Sequence, residues 1–144
     1  MKLILTGASG FIGSEVLHQT LQDPAIDSVI ALTRRPLKVD HPKLKVLIVE
    51  DFTDIPKDVL AVCAEASACI WTLGSKDMKN LDASRRVNLD YTIAAAKAFV
   101  NGVDSNTRFS FVYMSGVLAV REQDSSPYFL AEARKQRVSS SSPV

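Results

Sequence analysis

Three glycines, Gly7, Gly10 and Gly13, stand in the opening stretch MKLILTGASGFIGSEVL directly after a short apolar run. Glycine takes positive φ freely and lets other groups approach the backbone, so three at this spacing suit a place of close contact. Where a first strand hands over to a helix, the first glycine permits a tight turn and the second admits a pyrophosphate. The third lets the helix pack close to the strand. The helix N-terminus then faces the phosphates with unpaired N–H groups and a partial positive charge. Ser9 can add a hydroxyl to that contact, and Phe11 and Ile12 would form the first helical turn against the nucleotide. Ordinary turns also collect glycine, so context separates the two readings. Here the glycines follow a strand, open a helix, and precede the end of a second strand by about 20 residues, the layout of a dinucleotide-binding unit.

The end of that second strand is the next place where residue type carries chemistry. An acidic residue there would bond an adenosine ribose hydroxyl, whereas arginine accommodates a 2′-phosphate. The sequence has Thr33-Arg34-Arg35 and no acid. A guanidinium matches phosphate through a planar fork of donors, so NADP(H) is expected over NAD(H). The alternative is a solvated basic loop. His18 and His41 have no partners that would make a metal site, and Cys63 and Cys69 lack the spacing of a zinc ligand pair. Both cysteines read as buried free thiols in a reducing compartment. Seventeen basic against sixteen acidic side chains leave a net charge of +1, so no global field favours nucleic acid or an anionic membrane.

The elements that must position these residues follow from apolar periodicity. Strands are expected at 2–6, 28–33, 44–49, 68–73 and 108–114, the last four being SVIALT, LKVLIV, ACIWTL and RFSFVYM. Helices are expected at 11–21, 56–66, 81–100 and from 126 to 138, with Gly102 as a C-cap. Trp71, Phe109, Phe111 and Tyr113 read as sheet-face packing. Strands separated by helical segments predict an α/β doubly wound parallel sheet of five strands in the order 3-2-1-4-5, with helices on both faces. One Rossmann domain is expected over 1–138 and a disordered serine-rich tail over 139–144. No stretch reaches the roughly 18 apolar residues of a membrane span, and a cytoplasmic location is expected.

The motif Thr6-Gly7-Ala8-Ser9-Gly10-Phe11-Ile12-Gly13 resembles the TGxxGxxG of the short-chain dehydrogenase/reductase superfamily, in its extended and atypical branches. The resemblance runs from Met1 to about Val138, and within the superfamily the chain looks closest to the NmrA-like, epimerase-like group. It implies that Asp51 and Phe52 lie against the adenine, that Leu73, Gly74 and Ser75 form a turn beside the cofactor ribose, and that Asn88 sits in the long helix that follows. It also implies Ser115 and Tyr128 as the pair that polarises a substrate carbonyl. In the family a lysine four residues after the tyrosine lowers the phenol pKa, and here Glu132 stands in that place. A carboxylate would raise that pKa. Lys135 is seven residues on, roughly 10 Å along a helix against about 6 Å for a fourth residue.

Family members continue into further strands and helices that build a substrate pocket. Hydride transfer to or from a carbonyl or alcohol small molecule is therefore the ancestral reaction that the resemblance implies, with activity of this chain in doubt. Two alternatives stand beside it: a non-catalytic NAD(P)-sensing module, or a fragment of a longer reductase. An uncovered edge at the fifth strand would suit a protein partner.

Overall fold

The computed structural model describes residues 1–75, 79–102 and 108–115. Five parallel strands form one sheet: β1 (Lys2–Thr6), β2 (Ser28–Thr33), β3 (Leu44–Ile48), β4 (Ala68–Trp71) and β5 (Ser110–Tyr113), in the order β3-β2-β1-β4-β5. This is the expected order. β1 and β2 are buried on both faces, which is why KLILT and SVIALT are nearly unbroken apolar runs. β3, at the edge, leaves Ile48 half-exposed.

Alternation along the strands divides the core in two. Leu3, Leu5, Val29 and Ala31 face α1 (Phe11–Gln22), which contributes Leu17 and Leu21. On the other face, Ile4, Ile30, Leu32 and Trp71 meet α2 (Lys57–Cys63) and α4 (Tyr91–Gly102) through Val59, Ala95 and Phe99. Phe52 packs edge-on to Trp71 with ring centroids 5.4 Å apart, and Phe111 stacks on Trp71 at 5.8 Å. Each large apolar side chain so buried contributes about 1.5–3 kcal/mol.

Cys63 and Cys69 are free and buried in this second core. Burial pushes the Cys63 thiol up to about 11 and the Cys69 thiol well above its ordinary range.

Several boundaries differ from the sequence expectation, and one difference matters. The helix expected over 81–100 is three segments: α3 (Leu81–Arg85), one π-helical turn (Arg86–Asp90) and α4. Gly102 is the last residue of α4 rather than a cap beyond it. β4 ends at Trp71, because the Thr72 hydroxyl donates back to the Thr6 carbonyl at 2.7 Å and turns the chain across the top of β1. β3 stops at Ile48, and α2 spans only 57–63 behind Pro56. The helix expected from residue 126 lies outside the described residues.

No helix among the described residues is long and apolar enough to cross a membrane. Nor does any group of three or more His, Cys, Asp or Glu among them lie placed to hold a metal ion.

Candidate cofactor site

The C-terminal ends of β1, β2, β3 and β4 converge on the glycine turn, the position where open parallel sheets bind ligands. Gly7 has φ +71°, a left-handed backbone that side chains rarely adopt. A Cβ there would also lie 2.7 Å from the Thr72 hydroxyl. The Gly10 N–H donates to the Gly7 carbonyl at 2.9 Å, closing the turn. At Gly13 a Cβ would fall 2.0 Å from that same Gly7 oxygen, so only glycine lets α1 approach the end of β1 this closely. Gly10 is the least constrained, since its Cβ would meet the Gly7 oxygen at 3.2 Å and nothing else. α1 starts with no side-chain cap and no acid in its first turn. Its leading N–H groups therefore face the turn with a positive field and without a competing side chain. α3 is different, because the Asn80 side chain accepts from Ala83 N–H at 3.0 Å and fills that role from within the chain.

Two cavities open on either side of the turn, and Leu73 belongs to both. The narrower, about 40 Å³, is lined by Gly7, Ser9, Leu32, Thr33, Arg34, Arg35, Phe52 and Leu73. Neither guanidinium is ion-paired with a described residue, and both arginines are exposed. The larger, about 350 Å³, is lined by Gly10, Phe11, Ile12, Gly13, Thr72, Leu73, Gly74, Ser75, Asn88, Tyr113, Met114 and Ser115. Phe11 is 96% exposed, so its ring projects from the first turn of α1 instead of joining the core.

The sequence-derived residues thus line these two cavities, with two exceptions. Asp51 lines neither cavity. Its carboxylate accepts from the Thr53 hydroxyl at 2.6 Å, from Thr53 N–H at 2.9 Å and from Arg86 Nη2 at 2.6 Å. The Thr53 bonds, with Arg86 behind them, hold the Asp51 carboxyl below the usual carboxylate range. Tyr128, with Glu132 and Lys135, lies outside the described residues.

Asn88 reaches the wall of the larger cavity but is only 3% exposed, and its amide is spent on the chain. Its Oδ1 accepts from Ser75 N–H at 2.9 Å, while Nδ2 donates to the Ser75 carbonyl at 3.1 Å and to Ser84 Oγ at 3.0 Å. It fixes the Gly74-Ser75 turn from behind.

Residues that sequence reasoning missed are Thr72, Arg86, Tyr113 and Met114. Thr72 props the turn, Arg86 from the π-helical turn holds Asp51 and lies 5.7 Å over the Tyr91 ring, and the last two floor the larger cavity. Only Tyr113 and Met114 carried a signal, their place at the end of the fifth strand.

A family model described as NAD(P)H-binding matches residues 7–138. Leucinostatins biosynthesis cluster protein T of Purpureocillium lilacinum is 34% identical over 118 residues, covering 80% of this chain and 42% of that protein. Among solved structures, a variant of uronate dehydrogenase from Agrobacterium tumefaciens complexed with NAD superposes with a TM-score of 0.68 at 19% identity. That match covers 94% of this chain and 52% of the enzyme. The PhqB reductase domain of Penicillium fellutanum gives a TM-score of 0.70 at 19% identity, covering 94% and 42%. The chain thus spans about half the length, or less, of these proteins.

Proposed function

The chain belongs to the NAD(P)H-binding family, and on that premise we propose that it holds NADP(H) in preference to NAD(H) and presents it for hydride transfer with a carbonyl or alcohol. The carrying observation is the pair Arg34 and Arg35, without carboxylate partners among the described residues, on a cavity whose other wall is Gly7 and Ser9. The described residues fit such a group: Gly7 and Gly13 let α1 begin against the end of β1, which leaves the uncapped start of that helix, with no acid in its first turn, facing the glycine turn. The uncapped N–H groups of α1 and the Ser9 hydroxyl would hold the pyrophosphate, and the two guanidinium groups the 2′-phosphate. Phe52 and Leu73 would flank the adenosine, with Asp51 supporting that wall through Thr53 and Arg86. Gly74 and Ser75, braced by Asn88, would meet the second ribose.

When bound, the nicotinamide supplies or accepts a hydride. Ser115 follows β5 at the mouth of the larger cavity, where its hydroxyl can donate to a substrate oxygen. Tyr128 is the proposed proton donor. The PhqB neighbour is a reductase domain and the fungal relative a biosynthesis-cluster protein, which favours a small organic carbonyl as substrate. Two buried free thiols favour a reducing, cytoplasmic setting.

Calorimetric titration of the chain with NADPH and NADH tests the cofactor: tighter NADPH is expected. Equal or tighter NADH sinks the preference, and no heat with either at about 1 mM, the weak end of specific binding, sinks the site. NADPH oxidation with aldehydes, ketones and quinones tests the chemistry, and turnover should be abolished by Tyr128→Phe.

A second reading is favoured by Glu132 in the family's lysine position. It is a nucleotide sensor whose occupancy alters docking of a protein along β5, which among the described residues pairs only with β4. Tight NADPH binding without turnover on any of these carbonyls would favour it.

A further inference from the structure

Thr33 ends β2 facing the α1 side of the sheet and is 5% exposed. Its carbonyl accepts from Val49 N–H at 2.8 Å, which ties it to the end of β3. Its hydroxyl donates to the Arg35 carbonyl at 2.7 Å. The next residue is Pro36, whose ring fixes its own φ and restricts Arg35 to extended backbone. The chain carrying Arg34 and Arg35 is therefore held from both ends, by a hydroxyl and by a proline. A phosphate oxygen requires donors, and the single hydroxyl proton of Thr33 is already committed. Thr33 lines the cavity with the arginines but acts on a phosphate only through them.

We infer that Thr33 is a positioning residue for 2′-phosphate recognition: its bond to the Arg35 carbonyl sets the backbone from which the two guanidinium groups reach. Two long, exposed side chains lose rotamer freedom when they clamp an anion, and a fixed base reduces what must still be ordered. This rests on the NADP(H) preference proposed above.

The test is titration of the whole chain with NADPH and NADH. Thr33→Val keeps the shape and deletes the hydroxyl, and it should raise the NADPH dissociation constant about fivefold to tenfold, the worth of one hydrogen bond. NADH binding should stay within about twofold of the parent on the same scale. Thr33→Ser should restore the NADPH value. In an Arg34→Ala/Arg35→Ala background, Thr33→Val should cause no further loss, because the groups it acts through are gone.

An unchanged NADPH-to-NADH ratio in Thr33→Val overturns the inference, as does a loss that persists without the arginines or a serine that fails to rescue. Should Thr33→Val lose both ligands, Thr33→Ala decides by the same ratio, and parallel loss there too overturns the inference. If the parent binds NADH as tightly as NADPH, the NADP(H) preference itself fails, an outcome distinct from failure of Thr33 alone, and a double arginine variant with the parent's ratio overturns the inference by removing the groups through which Thr33 acts.

Discussion

Replacing Gly13 with alanine puts a methyl carbon 2.0 Å from the Gly7 oxygen, 2.6 Å from the Gly7 carbonyl carbon and 2.6 Å from the Thr72 hydroxyl. Two of these obstacles are backbone at the end of β1, so no flexible side chain can swing away. Real Cβ contacts stay beyond 3.0 Å, so α1 must withdraw by about 1 Å, against an interior that is close-packed. That withdrawal loosens Leu17 and Leu21 from Leu3, Leu5 and Val29. Overpacking costs about 1–3 kcal/mol, and a rigid obstacle puts Gly13→Ala at the upper end. For a domain of this size about 3 kcal/mol lowers Tm by roughly 10 °C. Gly10→Ala is the control: its methyl meets one oxygen at 3.2 Å, so it should cost under about 1 kcal/mol. It would nevertheless stand where a pyrophosphate must approach, and NADPH affinity should fall while Tm holds. Thermal unfolding by circular dichroism without ligand, followed by NADPH titration, reads both effects. A Gly13→Ala protein melting within about 2 °C of the parent would refute the close approach of α1 to the turn.

Asp51→Asn removes a carboxylate whose folded pKa is depressed, chiefly by its bonds to Thr53. Its stabilisation is present above the unfolded value of about 3.9 and is lost as pH falls through the lower folded value. The variant should therefore have a lower urea midpoint than the parent at neutral pH and the same midpoint in acid. Asn88→Ala abandons the bonds to Ser75 and Ser84; about 2–3 kcal/mol should be lost, and NADPH affinity should drop as the Gly74-Ser75 turn loosens, both measured on one sample by denaturation and titration. Cys63 and Cys69, buried with raised pKa values, should resist a disulfide reagent at pH 8 and react only at the rate of unfolding, followed by absorbance across a urea series.

The strand order was legible because each strand of the middle of the sheet is a buried apolar run and each turn signal sits where a crossover begins or ends. The glycine turn was legible because its demands are backbone demands, visible as residue type alone. The break in the helix after residue 81 was not. Apolar spacing at Val87, Leu89, Ile93 and Ala94 continues across it, and the reason for the π-helical turn is tertiary: Asn88 reaches Ser75, and Arg86 reaches Asp51, 35 residues away in the chain. Asp51 shows the same limit. Its place after β3 was readable, but not that Thr53 and Arg86 occupy its oxygens. Thr33 and Thr72 gave no sign because hydroxyl bonds to distant or local carbonyls leave no pattern in sequence.

One oxygen, that of Gly7, accepts the Gly10 N–H, excludes any side chain at position 13 and crowds one at position 10. It sorts the three glycines by what holds them over evolutionary time. In a lineage that gave up its nucleotide but kept its fold, positions 7 and 13 would remain glycine, because the fold itself forbids their replacement. Position 10 and the two arginines would be free to drift. Descendants of this chain would therefore record the loss of the ligand in a single glycine of the motif and in the loop beyond Thr33, with the outer glycines standing as a fossil of the fold alone.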